Sequence, residues 1–248
     1  MAQRILQNVL WITPVILQAV VAIVMWARGL HKRLPYFFGY ATYIVLSNMA
    51  LMGIHKHPNP WVYVYGYWIQ EVLCWLLAFA VIHEIYANLL KEYAVLQKLG
   101  ALLFWIMGIV LVSVALWTAF RVPSSDISRL FQTMLTLERS VRIVQCGLLV
   151  VLFVFASFFG LSWKNYLFGI ALGFAIFLSM ELAVVAIRTH VGESLNKLFS
   201  WLQLISYNLG VLVWTLYVAK RWQVADLRLL PKTQLAEWND TLQELLHR

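Results

Sequence analysis

Charge is scarce in this chain. Only 12% of its 248 residues are Asp, Glu, Lys or Arg, about half the share of an ordinary soluble domain, which excludes a surface that faces water on every side. Cysteine is nearly absent. Cys74 and Cys146 both fall inside apolar runs, which excludes a disulfide framework and a paired-cysteine zinc cluster; they read as two small buried residues. Proline is sparse as well, six in all, and Pro14 alone lies within a long apolar run. Acidic residues number 11 against 19 Lys and Arg, for a net charge of +8. That balance suits nucleic acid at first sight, but the cations sit between and beside the apolar runs and form no basic face. They are placed as membrane topology determinants are, so no nucleic-acid partner is expected.

What is present in abundance is hydrocarbon: 62% hydrophobic residues, a mean hydropathy of +0.76 and 12 tryptophans, whose amphipathic rings favour the headgroup level of a bilayer. The first apolar run, about Val9 to Trp26, is longer than the core of a signal peptide. It ends in Arg28, His31, Lys32 and Arg33 in place of a small-residue cleavage site, so it reads as a retained helix. A membrane helix needs about 20 mostly apolar residues. Seven segments qualify, at roughly 8–27, 35–54, 61–86, 101–120, 139–160, 165–187 and 198–219. The expected fold is therefore an all-α seven-transmembrane helix bundle over residues 1–222, with the lipid bilayer as its solvent. Short connections make consecutive helices antiparallel neighbours.

Orientation follows from the Lys/Arg asymmetry. With the N-terminus outside, ten cations fall on the inner side, among them Arg28, Lys32, Arg33, Lys220 and Arg221, and six on the outer side; the expectation is N-out and C-in. Residues 126–138 continue the fifth helix outward, with Ser124 or Ser125 as the cap. The tail, 223–248, carries Leu235, Trp238, Leu242 and Leu245 on one face of a short amphipathic helix. Such a stripe suits the inner leaflet, a protein partner, or a return onto the bundle itself.

Internal self-similarity is suggested by three matches. Tyr36, Phe38, Gly39 and Ala41 align with Tyr166, Phe168, Gly169 and Ala171; Trp68-Ile69-Gln70 aligns with Trp201-Leu202-Gln203; and Gln18 aligns with Gln145. The offsets are nearly constant, as a 3+1+3 parallel repeat would require. This outline is similar to the sugar-efflux and microbial-rhodopsin classes. A retinal protein needs a lysine in the middle of its last helix, whereas Lys197 and Lys220 only flank it. The prolines typical of sugar-efflux proteins are missing too.

The informative residues are the polar ones inside the apolar runs, since a charge there is costly, roughly 2.5–3.5 kcal/mol on insertion scales, and normally faces the bundle interior. Glu71 lies near the middle of the third segment. Glu138, Arg139, Arg142 and Gln145 share a broad face of the fifth at i,i+3 and i,i+4 spacing. Glu181 lies in the outer half of the sixth, on the face of Arg188, and Asn48, Gln70, Gln203 and Asn208 fall at comparable depths. We expect these ten residues (Asn48, Gln70, Glu71, Glu138, Arg139, Arg142, Gln145, Glu181, Gln203 and Asn208) to form one polar centre in the outer half of the bundle. It is either a pocket that binds a small polar or anionic ligand through its arginines, or a self-satisfied ion-pair network that fixes helix register. The pair His83-Glu84 reads as an interfacial feature of the third segment. Gly169 and Gly173 form a small-xxx-small packing face.

No catalytic residues are assigned. Histidines are split between the two membrane faces, which argues against a hydrolase of the alkaline ceramidase type. His55, His57 and His190 in outer loops lack a carboxylate partner, so no metal site is expected, and no cofactor motif occurs. The stretch Leu135 to Cys146 (LTLERSVRIVQC), with Phe168 to Gly173 and Glu181-Leu182-Ala183, resembles an uncharacterised family of seven-helix bacterial integral membrane proteins. The resemblance covers most of the chain and implies a bacterial inner-membrane location, but brings no activity with it. Three functions remain: a ligand-binding sensor, a small-solute transporter, or an accessory subunit of a membrane complex with no ligand of its own.

Overall fold

The computed structural model describes residues 2–55, 58–89, 98, 101–102, 104–110, 113, 117, 127–158, 166–191 and 196–220. Among these the chain is all-helical: α1 (Ala2–Ala27), a 3₁₀ turn (Leu30–Lys32), α2 (Pro35–Ile54), α3 (Pro60–Leu89), α4 (Ile127–Phe158), α5 (Tyr166–Val191) and α6 (Asn196–Ala219). These are the first three and last three expected segments. The fourth lies largely outside the described residues. Residues 104–110 are helical, and Phe104 sets its ring edge-on against His83 and Tyr86 of α3. The tail and its expected amphipathic helix lie outside the described residues.

Among the described residues four stretches are long and apolar enough to cross a membrane by length and composition: Pro35–Ile54, Trp61–Leu89, Tyr166–Val184 and Leu198–Ala219; Ile12–Ala27 is a shorter apolar run. The outward faces of the helices carry large apolar side chains. Ile23, Leu46, Leu76, Val150 and Leu216 are each 60% or more exposed, and so continuous an apolar surface suits lipid and not water.

Each helix packs on its sequence neighbours, α6 closes onto α1, and α3 also touches α5. The six helices thus make a ring. Two ends can be named from the connections: one where residues 55–59 join α2 to α3, and one where residues 28–34 join α1 to α2. The second is closed by helix capping. Gly29 adopts a left-handed conformation (φ 68°), which glycine takes without steric cost. Pro35 opens α2, where its missing N–H is no loss. The Glu84 carboxylate of α3 accepts hydrogen bonds from the N–H groups of Tyr36 and Phe37, both at 3.0 Å, so a buried anion caps the positive end of α2. Across the ring Arg28 donates to the carbonyls of Val218 and Lys220 at 2.7 and 3.1 Å, a cation at the negative end of α6.

The seams differ in chemistry. The α5–α6 seam is a close backbone approach: a Cβ on Gly173 would fall on the Trp214 indole and the Gly210 carbonyl. That indole donates to the Ile170 carbonyl at 3.0 Å, and Phe37, Tyr40, Phe174 and Trp214 form the aromatic core beside it. The α3–α4 seam is held instead by polar links at three heights. Arg142 faces Glu71, Gln145 donates to the Trp75 carbonyl at 3.3 Å, and Tyr86 donates to the Leu148 carbonyl at 2.7 Å. In α1, Pro14 lacks the N–H that would satisfy the Leu10 carbonyl one turn back. Asn208 of α6 supplies the missing donor, at 3.1 Å.

Candidate functional site

Opposite the capped end, the ring encloses a cavity of about 1090 Å³, just above the size range of small-molecule sites. All six helices contribute: Pro14 from α1, Asn48 from α2, Glu71 from α3, Arg142 from α4, Glu181 from α5 and Gln203 from α6 are among its lining residues. The cavity reaches the surface at the 55–59 end, where lining residues His55, Thr136, Arg139 and Ser200 are exposed.

The charged residues are brought there by helical spacing. Glu138 and Arg142 lie one turn apart on α4, which turns both toward the cavity. Arg142 is buried, with 7% of its surface exposed, and its guanidinium is shared between Glu71 (Nη2 to Oε2, 3.8 Å) and Glu138 (Nη2 to Oε1, 3.7 Å). Neither distance is a hydrogen bond. Its guanidinium carbon lies 5.3 Å from the centroid of the Phe177 ring, a cation–π distance. Its buried Nε has no hydrogen-bond partner among the described residues. Glu181, also buried, accepts a hydrogen bond from Gln203 Nε2 at 3.0 Å. The side chain of Arg188, its expected partner, is not among those described. Gln70 is a lining residue, and its buried Oε1 has no hydrogen-bond partner among the described residues. Asn48 anchors its own amide to the Ile44 carbonyl at 2.8 Å.

Eight of the ten residues singled out in the sequence therefore line one cavity: Asn48, Gln70, Glu71, Glu138, Arg139, Arg142, Glu181 and Gln203. Two do not. Gln145 lies one turn deeper and is spent on the α3–α4 seam, and Asn208 compensates Pro14 at the α1–α6 seam. Both amides link neighbouring helices instead.

The aromatic wall had no counterpart in the sequence reading. Tyr40, Tyr67, Phe174, Phe177, Trp201 and Tyr207 line the cavity, but in a chain this rich in aromatics no spacing distinguishes them from core residues. Cys74 is a further lining residue. His55 lies at the mouth, edge-on to Tyr63, while His57 and His190 lie outside the described side chains. His83 is exposed and Glu84 is a cap, both at the other end of the ring.

No family model, curated protein or solved structure matches the chain.

Proposed function

We propose that this protein is a seven-span membrane bundle, N-out and C-in, whose outward-facing cavity binds a small polar molecule with an anionic group, as the binding unit of a sensor or a transporter. One observation carries the reading: a buried arginine at the wall of a cavity of about 1090 Å³, with both carboxylates beyond hydrogen-bond range. Buried polar groups are normally satisfied, and a guanidinium at a cavity wall whose carboxylates stand 3.7 and 3.8 Å away is a ready partner for a carboxylate or phosphate oxygen. An accessory subunit without a ligand calls for a filled, fully paired network at this place, and the open space beside Arg142 speaks against it. The helical residues 104–110 support a fourth span. The cations Arg28, Lys32, Arg33 and Lys220 at the end opposite the cavity mouth support N-out. We also propose that the chain belongs with the seven-helix bacterial inner-membrane proteins that it resembles.

Cys74 is a built-in reporter of this reading. It lines the cavity, and Cys146, the second cysteine, does not. In a Cys146→Ser background, a charged, membrane-impermeant thiosulfonate added to intact cells is expected to modify Cys74. If Cys74 reacts only after denaturation, the cavity is closed to water and the binding reading fails. Reaction from the inner side of inverted vesicles as well, under conditions that change with solute, marks transport in place of sensing.

A further inference from the structure

The lining of the cavity changes character with depth. Two polar pairs cross it, Arg142 with Glu71 and Gln203 with Glu181. On the mouth side of these pairs the lining is mixed, with Thr136, Glu138 and Arg139 among aromatic rings. One turn further from the mouth, and on the same helix faces, α3 presents Cys74, α5 presents Phe177 and α6 presents Tyr207. All three are only partly buried. Among the described lining residues, none deeper than Arg142 and Glu71 is charged.

The charged level and the deep layer adjoin at one point. The guanidinium carbon of Arg142 lies 5.3 Å from the centroid of the Phe177 ring, and that ring stands edge-on to Tyr207 with centroids 5.2 Å apart. An anionic group held by Arg142 thus has an aromatic layer directly beneath it. An apolar body on the same molecule takes that layer out of contact with water, and a ring system adds the edge-on and offset contacts that aromatic side chains favour. A cavity of about 1090 Å³ has room for such a body as well as its charged group.

Resting on the ligand-binding reading above, we infer that the ligand is an amphipathic anion of the aromatic-acid type: its carboxylate engages Arg142, and its ring system points away from the mouth onto Phe177, Tyr207 and Cys74.

The test reads Cys74, which lies in the layer that the ring system would cover. In the full chain carrying Cys146→Ser, purified in detergent, the rate at which a charged thiosulfonate modifies Cys74 is followed with phenylacetate and indole-3-acetate. Each acid is compared with its uncharged amide, with hexanoate as an unbranched acid, and with acetate and inorganic phosphate as compact anions. At least one aromatic acid is expected to slow the reaction about tenfold at about ten times its dissociation constant, while its amide and the other anions slow it far less at the same concentration. Tyr207→Leu, which removes a ring of the deep layer without touching Arg142, should weaken that protection about fivefold and leave the rate without acid close to that of its parent. Equal protection by acetate or phosphate overturns the aromatic body and leaves an anion site standing. Equal protection by hexanoate overturns the requirement for a ring, and equal protection by the amide overturns the engagement of Arg142. If Cys74 reacts at one rate with every compound, the inference fails while the cavity stays open to water. If Cys74 reacts in no arm, the binding reading fails with it.

Discussion

Arg142 is held by less than its burial demands. Two carboxylates stand 3.7 and 3.8 Å away, a ring lies under the guanidinium, and one donor is unbonded. Such a group still contributes to stability, because removing it leaves Glu71 and Glu138 facing each other, both mostly buried, without a cation between them. Loss of one partner of a buried pair is far more damaging than loss of both. Arg142→Gln is therefore expected to cost about 2–3 kcal/mol, read as denaturant-induced unfolding in detergent. Adding Glu71→Gln should recover at least half of that loss. If the double variant is no better than the single one, the arginine does not stabilise through Glu71, and the ion pair that links α3 to α4 is incidental. The same residue shows how far the sequence could be read. The i,i+4 spacing of Glu138 and Arg142 was legible because helix geometry alone decides it. The fates of Gln145 and Asn208 were not, because they depend on which neighbouring carbonyl stands opposite, and that is a matter of packing between helices.

Among the elements, capping and carbonyl repair do work that hydrophobic length does not reveal. The span over 35–54 could be placed to the residue because Pro35 and the basic run before it mark its start. Nothing in the sequence tied Glu84 to it across 47 residues. In the fold, Glu84 is a buried anion at the N-terminus of α2, with both oxygens occupied by backbone N–H groups. Glu84→Ala should strip two charge-assisted bonds and lower stability by about 2 kcal/mol. Glu84→Gln, which keeps one acceptor, is expected to lose about half as much in the same unfolding assay. A loss equal to that of Ala would mean that the charge, and not the acceptor, is what counts. The Pro14–Asn208 pair allows a sharper test, because the proposed role makes one residue conditional on the other. With Pro14 present, Asn208→Ala leaves the Leu10 carbonyl unsatisfied and should cost about 1 kcal/mol. In a Pro14→Ala background the helix supplies its own N–H, and the same substitution should cost a few tenths of that at most. Additive effects in this double-mutant cycle would show that Asn208 acts elsewhere.

At the scale of the whole molecule, the ring is unlike at its two ends, and the asymmetry bears on both topology and function. One end is closed: Glu84 and Arg28 tie helix termini across it, and Arg28, Lys32, Arg33 and Lys220 gather there. The other holds the cavity and its mouth. On the proposed N-out topology the cationic end lies on the inner side, so the same feature that closes one end would point the open end outward. This link can be checked without knowing the ligand. In a chain freed of Cys74 and Cys146, a cysteine at Pro58 and one at Arg33 report on opposite ends, and both positions are exposed. Pro58→Cys is expected to react with an impermeant maleimide on intact cells, and Arg33→Cys only after permeabilisation. The reverse pattern would turn the cavity toward the cytoplasm and make its ligand an intracellular one. Labelling of both from one side would mean that an odd number of crossings between them is wrong, and with it the place of α2 as a membrane span. The expected pattern leaves the carboxylates, the arginines and the aromatic wall facing the outside world at a depth where water is scarce. There, a molecule with an anionic group can engage the guanidinium that Glu71 and Glu138 share at 3.8 and 3.7 Å.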